Sequence, residues 1–493
     1  MNYTIFDMLY KKYKPKNKIR LLEFFSGYGS QALALKYLGV DFEHWKTCEW
    51  AIKSIQAYKD IHFIDKTYDS KLTKEEYVNY LFNKGISSNY NEPMTYEQIK
   101  RLNEKQLKII YDNIQVTNNL VNIQQVKGKD LEIVDTDKYD YILTYSFPCQ
   151  DLSLAGKGKG MKDTSTRSGM LWEVERILKE CKELGNLPQV LLMENVPQVH
   201  SEDNIKDFYK WQEKLDNLGY TSYIKDLIAT DYGIPQTRNR CFMISILGEY
   251  NYKFPKPIPL KLKLSNLLEE NVDEKYYLKI GTLKCFMKEL SGKFPRKQRF
   301  LESLYQTNVN DIAGTLTALT GGKATDNHII VPGTTKIGYT KAYPRDGVYI
   351  NRPHQKRGVV QKDKIQTLKT SCDDVGVIVR EPKILDDRDI KFNGINLSDT
   401  CPTQRASRNG LKVLQTDLRI RKLTSKECFR LMGVKDEDYE KVKQNQGDSS
   451  LYHLAGDSIV VNVLMAIFGE LFEINWEEKF NPKEWWNNDN NKK

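Results

Sequence analysis

The strongest constraint in this 493-residue chain is the run Asp140-Tyr141-Ile142-Leu143, which continues to Phe147 and stops at Pro148-Cys149-Gln150. The run reads as a buried strand, and proline cannot extend its hydrogen-bonded ladder. A thiol is therefore presented at the carboxyl end of a strand, where open α/β sheets gather their ligands. A lone cysteine is more often a buried spectator. Whether this one is functional depends on what the other strands carry at the same edge.

Upstream, Ile19–Phe25 reads as a second buried strand, Ser26–Ser30 as a tight turn with Gly27 and Gly29, and Gln31–Leu38 as a helix stopped by Gly39. Strand, glycine turn and helix open a nucleotide-binding doubly wound sheet, although two glycines fall short of the full dinucleotide fingerprint. The next apolar segment ends in Cys48-Glu49-Trp50. Glu49 follows Gly29 by about 20 residues, the spacing at which a carboxylate reaches ribose hydroxyls. Trp50 offers a flat face for an adenine or, by cation–π attraction, a sulfonium. A solvated glutamate beside a core tryptophan would give the same pattern.

Further on, the strand Val190–Met193 delivers Glu194-Asn195-Val196-Pro197 to its carboxyl end. Two later strands, Tyr220–Thr230 and Arg240–Leu247, flank a segment in which Gln236, Arg238 and Arg240 alternate and would share one face if extended. Charges leading straight into a core strand suit a site better than a solvent surface.

Around this sheet, residues 62–118 form a highly charged excursion with helices over Thr73–Lys84 and Thr95–Ile114, and the sheet resumes at Leu120–Ile123. The glycine-rich Ser153–Gly169 has the composition of a lid or of a plain surface loop. Helices follow over Met170–Leu184 and Ile205–Leu218. Residues 250–415 change texture, with a loose echo of Thr-led strands from Thr315, Thr367 and Thr400, as in a small domain of stacked hairpins. Helical texture returns with a capping box from Thr424 to Glu427, and Gly456-Asp457-Ser458 begins a long apolar helix. The expectation is an α/β chain: a doubly wound, Rossmann-like domain over 1–250 with a helical insert at 62–118, a mainly β domain over 251–417, and a segment over 418–493 that returns to the first. A short helix is expected within residues 1–17.

Composition narrows the chemistry. The eight cysteines are scattered without a Cys-x-x-Cys pair, so neither a zinc ribbon nor a disulfide framework is indicated, and reduced thiols suit a cytosol. No metal is expected. A net charge of +10 makes a polyanionic partner plausible, as would a lysine-rich coding bias. No signal-like start is evident, and Ser458–Phe472 is too short to span a bilayer, so no membrane partner is expected.

Taken in order, Phe25-Ser26-Gly27-Tyr28-Gly29, Glu49-Trp50, Phe147-Pro148-Cys149-Gln150, Glu194-Asn195-Val196, Gln236-x-Arg238-x-Arg240, Arg421-Lys422-Leu423-Thr424 with Glu427-Cys428, and Gly456-Asp457-Ser458-Ile459-Val460 resemble the C5-cytosine DNA methyltransferase family of bacterial or phage type. The matching stretches lie within residues 20–247 and 418–470.

The resemblance implies methylation of cytosine C5 in a specific double-stranded DNA sequence, through a covalent Cys149–C6 adduct on a flipped base. It assigns catalysis to Cys149, Glu194, Arg240, Arg238 and Gln236. S-adenosylmethionine is the implied donor, held near Phe25, Gly27, Gly29, Glu49, Trp50, Asn122, Ile123, Pro148 and Ser458. Substrate contacts fall to Gln150, Ser153, Asn195 and Val196, with Thr315, Thr367 and Thr400 in a target-recognition domain. Asn122, Asp457 and Ser146 depart from the family's usual acidic residue, asparagine and glycine. A related tRNA-methylating branch shares this core but carries a much smaller β region, and a non-catalytic DNA-binding relative would not need intact Cys149, Glu194 and Arg240. A cytoplasmic monomer, in a bacterium or phage-infected host and with or without a separate restriction endonuclease as partner, completes the expectation.

Overall fold

The computed structural model describes residues 11–148, 168–270, 272–276, 329–332, 339–343, 345–349, 359–370, 375–386, 397–398 and 411–486. Cys149, Gln150, Ser153, Thr315, Thr400 and most of the expected lid lie outside them. The chain divides into two compact units, one of residues 1–262 with 428–493 and one of residues 263–427.

The first unit is built on a six-stranded sheet. Its strands are β1 (Lys18–Phe24), β2 (Phe42–Cys48), β3 (Tyr139–Tyr145), β4 (Val190–Asn195), β5 (Tyr220–Ile228) and β6 (Asn239–Leu247), in the spatial order β2-β1-β3-β4-β6-β5. The first four are parallel, and β6 and β5 are antiparallel additions. From Ile19 onward every residue of β1 is buried, as expected of a central strand covered on both faces. Its one buried cation, Arg20, lies with its guanidinium carbon 3.7 Å from the Trp45 ring centre and 3.4 Å from that of Tyr139, and pairs with Glu43 at 3.0 Å.

The crossover helices are α1 (Ser30–Leu38), α2 (Ile52–His62), α6 (Leu171–Glu183) and α7 (Ile205–Leu218). α6 and α7 turn Val174, Leu178, Phe208, Trp211 and Leu215 onto Leu143, Leu191 and Met193 of the sheet. Each such side chain contributes roughly 1.5–3 kcal/mol by leaving water.

The insert forms α3 (Lys74–Lys84), α4 (Tyr96–Lys100) and α5 (Glu104–Val116). One helix was expected over Thr95–Ile114. The chain breaks it because Asn103 accepts from Gln106 N at 2.9 Å while Gln106 Oε1 accepts from Asn103 N at 3.0 Å, a capping box that starts a new helix. The insert has its own core of Tyr77, Leu81, Ile99, Leu107 and Ile110, against which Trp50 packs.

Three further expectations are corrected. Leu120–Ile123 is not a strand: Asn119 makes a single bridge to Thr47, and Val121 turns at φ +69°. Asn119 causes the turn, its Oδ1 accepting from Glu49 N at 3.0 Å and Val121 N at 2.9 Å. After α8 (Ser425–Leu431) and α9 (Asp436–Lys443), Gly456-Asp457 does not begin a helix but ends α10 (Asp448–Asp457), and α11 (Val461–Phe472) starts afresh after Ser458–Val460. The run from Asp448 to Phe472 is long and apolar enough to cross a membrane by composition, and most of it is buried inside the unit as a core helix is. Finally, Lys11–Lys12 pairs as a short parallel strand with Tyr250–Asn251 where part of a leading helix was expected.

In the second unit, β7 (Ile329–Pro332) and β8 (Tyr339–Ala342) form an antiparallel hairpin. β9 (Gly347–Tyr349), β10 (Val360–Gln361), β11 (Val375–Asp386), β12 (Leu397–Ser398) and β13 (Leu411–Lys422) form a five-stranded antiparallel sheet. The long β11–β13 pairing shifts register at Glu381/Pro382, where proline has no amide to give the ladder. Thr367 is half-buried between the buried Gln366 and Leu368.

Candidate active site

The parallel strands end level. Phe24 of β1 lies beside Tyr145 of β3, and Tyr145 beside Met193 of β4. Phe25–Gly29, Ser146–Pro148 and Glu194–Val196 therefore leave the sheet at one edge. β6 runs the opposite way, so its first residues enter at that same edge, with Cys241 paired to Asn195 and Arg240 just before it.

The resulting constellation centres on Glu194, which is 5% exposed. Arg240 Nε stands 3.1 Å from Glu194 Oε1, and Ser146 Oγ donates to Glu194 Oε2 at 2.5 Å. Both carboxylate oxygens are thus oriented by charge and by a hydroxyl. Asn195 Nδ2 donates to Phe147 O at 3.0 Å, and its Oδ1 accepts from Val196 N at 2.8 Å. That amide ties the strand end leading to Pro148-Cys149 to the one carrying Glu194. Ser146 was noted in the sequence only as a departure from glycine; its role follows from its place one residue beyond β3, opposite the end of β4.

Gln236 and Arg238 were expected on one face with Arg240, with Arg238 in a supporting or backbone-contacting role, and both reach backbone carbonyls of the C-terminal segment. Gln236, fully buried, donates through Nε2 to Leu431 O at 2.7 Å. Arg238 Nη2 donates to Gly456 O at 3.1 Å and Ser458 O at 2.8 Å. Both residues precede β6, which begins at Asn239, and Arg238 O accepts from Ala229 N at 2.9 Å. Both residues fasten the returning C-terminal segment to the site.

The neighbouring corner is shaped by the glycine turn. Phe25 takes φ +56°, a strained value for a side-chain-bearing residue, while its amide donates to Cys48 O at 2.7 Å. Gly27 at φ +54° donates its N–H to Glu49 Oε2 at 3.0 Å, and no atom stands within 4 Å of where a Cβ would lie. Gly29 at φ +84° is obligatory, because a Cβ there would come within 2.4 Å of His62 Nε2 and 2.7 Å of the Tyr58 ring.

Glu49 is half-buried, accepts a second N–H from Ala51 at 2.8 Å, and forms no ion pair among the described residues. Loss of water around it pushes its carboxyl up to about 7, against the backbone N–H groups that favour the anion. Glu49 is therefore poised to accept hydroxyl donors, beside open space at Gly27 and the half-buried rings of Phe25 and Trp50. These residues fit a nucleoside-bearing donor. Asn122 and Ile123 are buried, and Asn122 Oδ1 already accepts from Gln124 N at 3.1 Å while keeping a second lone pair. Ser458 Oγ accepts from Tyr28 OH at 2.8 Å, linking the C-terminal motif to the glycine turn.

Sequence reasoning missed two residues here. Tyr90, on the insert at φ +63°, stacks on His453 of α10 with ring centres 3.7 Å apart and planes 15° from parallel. His453 Nδ1 lies 3.2 Å from Asp457 Oδ2, and Asp457 is within electrostatic reach of Arg238, Arg240 and Glu194. The insert is thus joined to the rim of the site, and not appended at a distance. Neither Tyr90 nor His453 lies in a periodic or motif-like stretch that could have signalled this.

The model of the C-5 cytosine-specific DNA methylase family matches residues 89–473. The orphan methyltransferase M.SssI of Spiroplasma monobiae is 39% identical over 265 residues, covering 52% of this chain and 67% of that protein. The type II methyltransferase M2.ScrFI of Lactococcus lactis subsp. cremoris is 29% identical over 461 residues, covering 92% of this chain and 99% of its own. Among solved structures, the Entamoeba histolytica methyltransferase EhMeth matches with a TM-score of 0.49 and 14% identity over 93% of this chain and 99% of that one. With its family model covering most of its length and its six-stranded α/β sheet, the chain belongs to the C-5 cytosine-specific DNA methylase family and is a DNA (cytosine-5-)-methyltransferase.

Proposed function

We propose that this DNA methyltransferase works on a cytosine flipped out of duplex DNA, through a covalent adduct with Cys149 and with S-adenosylmethionine as donor. The observation that carries the reading is the Glu194 carboxyl held between Arg240 and Ser146, at the sheet edge where β3 leads to Pro148-Cys149. Cytosine C5 is too weak a nucleophile to be methylated directly. Addition of the Cys149 thiolate to C6 forms an S–C6 bond and pushes an electron pair toward C5 and ring nitrogen 3. Glu194, as general acid, favours or supplies a proton at nitrogen 3, and Arg240 orients that carboxyl and holds the base carbonyl. The donor, when bound, supplies an electrophilic methyl group to C5. A base then takes the C5 proton, the C5–H electron pair closes the C5–C6 double bond as the S–C6 pair leaves with Cys149, and nitrogen 3 returns its proton to Glu194, which restores the ring.

On this reading Glu49 binds the donor's ribose hydroxyls, Phe25 and Trp50 flank its base, and Gly27, Gly29, Asn122, Ile123, Pro148 and Ser458 line the same corner. Asn195 and Val196, with Gln150 and Ser153, face the substrate. The residues from 251 to 417 act as the target-recognition domain, reading bases through loops such as those at Thr315, Thr367 and Thr400, with lysines and arginines on phosphates.

The test is to express the chain in a host without DNA methylation and to sequence the host DNA after bisulfite treatment. Protected cytosines at a fixed sequence are expected. A duplex carrying 5-fluorocytosine at that site should trap a protein–DNA adduct, because fluorine cannot leave as the proton does. Folded protein with neither protection nor adduct would overturn the mechanism, and preferential methylation of tRNA in competition would reassign the substrate.

Glu49 adds a pH signature. Its raised carboxyl, about 7, means that the free protein holds it largely protonated below that pH. Hydroxyl donors prefer the anion, so affinity is full above about 7 and falls by up to about tenfold per unit below it, the limit for one coupled proton. Calorimetry between about pH 8 and pH 6 should show this slope in the wild type and a flatter one in Glu49→Gln. An unchanged slope would remove Glu49 from the donor site.

A further inference from the structure

We propose that His200, Asp226 and Cys241 form a binding site for a divalent transition metal of the zinc class on the β5–β6 side of the sheet. His200 ends the short turn Pro197–His200 that follows β4, and Asp226 and Cys241 are directly opposed partners on β5 and β6. Opposed residues on paired strands project from the same face. One ligand atom from each of the three lies within 4.8 Å of the other two, and His200 Nε2 is 2.9 Å from Asp226 Oδ1. A tetrahedral ion with bonds of about 2.0–2.3 Å needs a similar spread, so side-chain rotations of about 1 Å would close the shell.

The donor types select the ion. One thiol, one imidazole and one carboxylate favour zinc or cobalt over magnesium or calcium, which take oxygen alone. Access is asymmetric: Cys241 is fully buried, whereas the His200 and Asp226 side chains are 35% and 33% exposed. An ion can enter from solvent, displace the thiol proton and keep a fourth position for water. Burial and the nearby Asp226 carboxylate push the Cys241 thiol well above its ordinary range, so the unmetallated cluster keeps a proton there that a dication would replace. An ordinary surface His–Asp pair does not call for a buried thiol at the same point. Occupancy would pin the turn behind Glu194-Asn195-Val196 to the strand that begins with Arg240.

Cobalt(II) alone is the probe, added to the full chain purified in chelator. One equivalent should bind, with a near-ultraviolet thiolate-to-cobalt absorption and the visible bands of a tetrahedral centre. His200→Ala, at a partly exposed position that leaves the core intact, should lose the thiolate band and weaken binding at least tenfold. Asp226→Asn should weaken it as well, and zinc should bleach the bands. Cys149→Ser should keep them, which separates this site from the thiol proposed as nucleophile. Circular dichroism confirms that each variant folds. Absence of the band, or a band that survives His200→Ala and vanishes in Cys149→Ser, would overturn the proposal.

Discussion

A Cys149→Ser protein is expected to yield no methylated cytosine by bisulfite sequencing while keeping the wild-type circular dichroism and melting temperature. A serine hydroxyl is a poor nucleophile at neutral pH. Glu194→Gln should retain a trace of activity, reduced by about 10²–10⁴-fold, the usual worth of a positioned acid. Arg240 and Ser146 would still bracket the amide, so the loss is one of proton supply more than of shape. On the proposed mechanism attack at C6 and proton supply at nitrogen 3 are two ends of one electron shift, so the double variant should be no worse than Cys149→Ser alone. Strict additivity, with Glu194→Gln costing a further factor on top of a measurable Cys149→Ser rate, would mean that the two groups act in separate steps. Ser146→Ala provides a finer control. Losing the 2.5 Å contact to Glu194 should lower turnover by less than Glu194→Gln does, without changing donor affinity.

Much of this arrangement was legible in the sequence because strand ends and turn residues are local. β1, β3 and β4 announce themselves as apolar runs, and each hands over to Gly, Pro or Glu-Asn where the ladder stops. The capping box at Thr424 and Glu427 was also readable, and it forms: Thr424 Oγ1 accepts from Glu427 N at 3.2 Å, and Glu427 Oε2 accepts from Thr424 N at 2.8 Å. What escaped was non-local. The tether from Gln236 to Leu431 crosses 195 positions and that from Arg238 to Ser458 crosses 220, so alternation within Gln-x-Arg-x-Arg gave no hint of them. The Tyr90–His453 stack joins an insert to the C-terminal segment. The turn at 119–123 escaped because Asn119 acts through its side chain, overriding a strand-like apolar pattern.

Arg421→Ala should be the most damaging substitution away from the chemistry. The Arg421 side chain is 1% exposed and that of Glu427 fully buried, and the guanidinium meets the carboxylate through two contacts, Nη1 to Oε2 at 2.8 Å and Nη2 to Oε1 at 2.7 Å. Glu427 also accepts from Glu269 N at 2.8 Å, so one carboxylate organises the end of β13, the start of the following helix (Ser425–Leu431) and the segment at 269. Removing the cation alone strands a buried anion, which costs about 3–5 kcal/mol. The remaining backbone donors place the loss toward the lower end of that range, still a large part of the roughly 5–15 kcal/mol that holds a domain folded. The melting temperature should fall by several degrees, and Arg421→Met with Glu427→Gln should recover much of the loss, because a neutral pair removes the unpaired charge along with its partner. If Arg421→Ala melted like the wild type, Glu427 would have to be protonated or hydrated in the folded chain, and the junction would owe its stability to packing instead of charge.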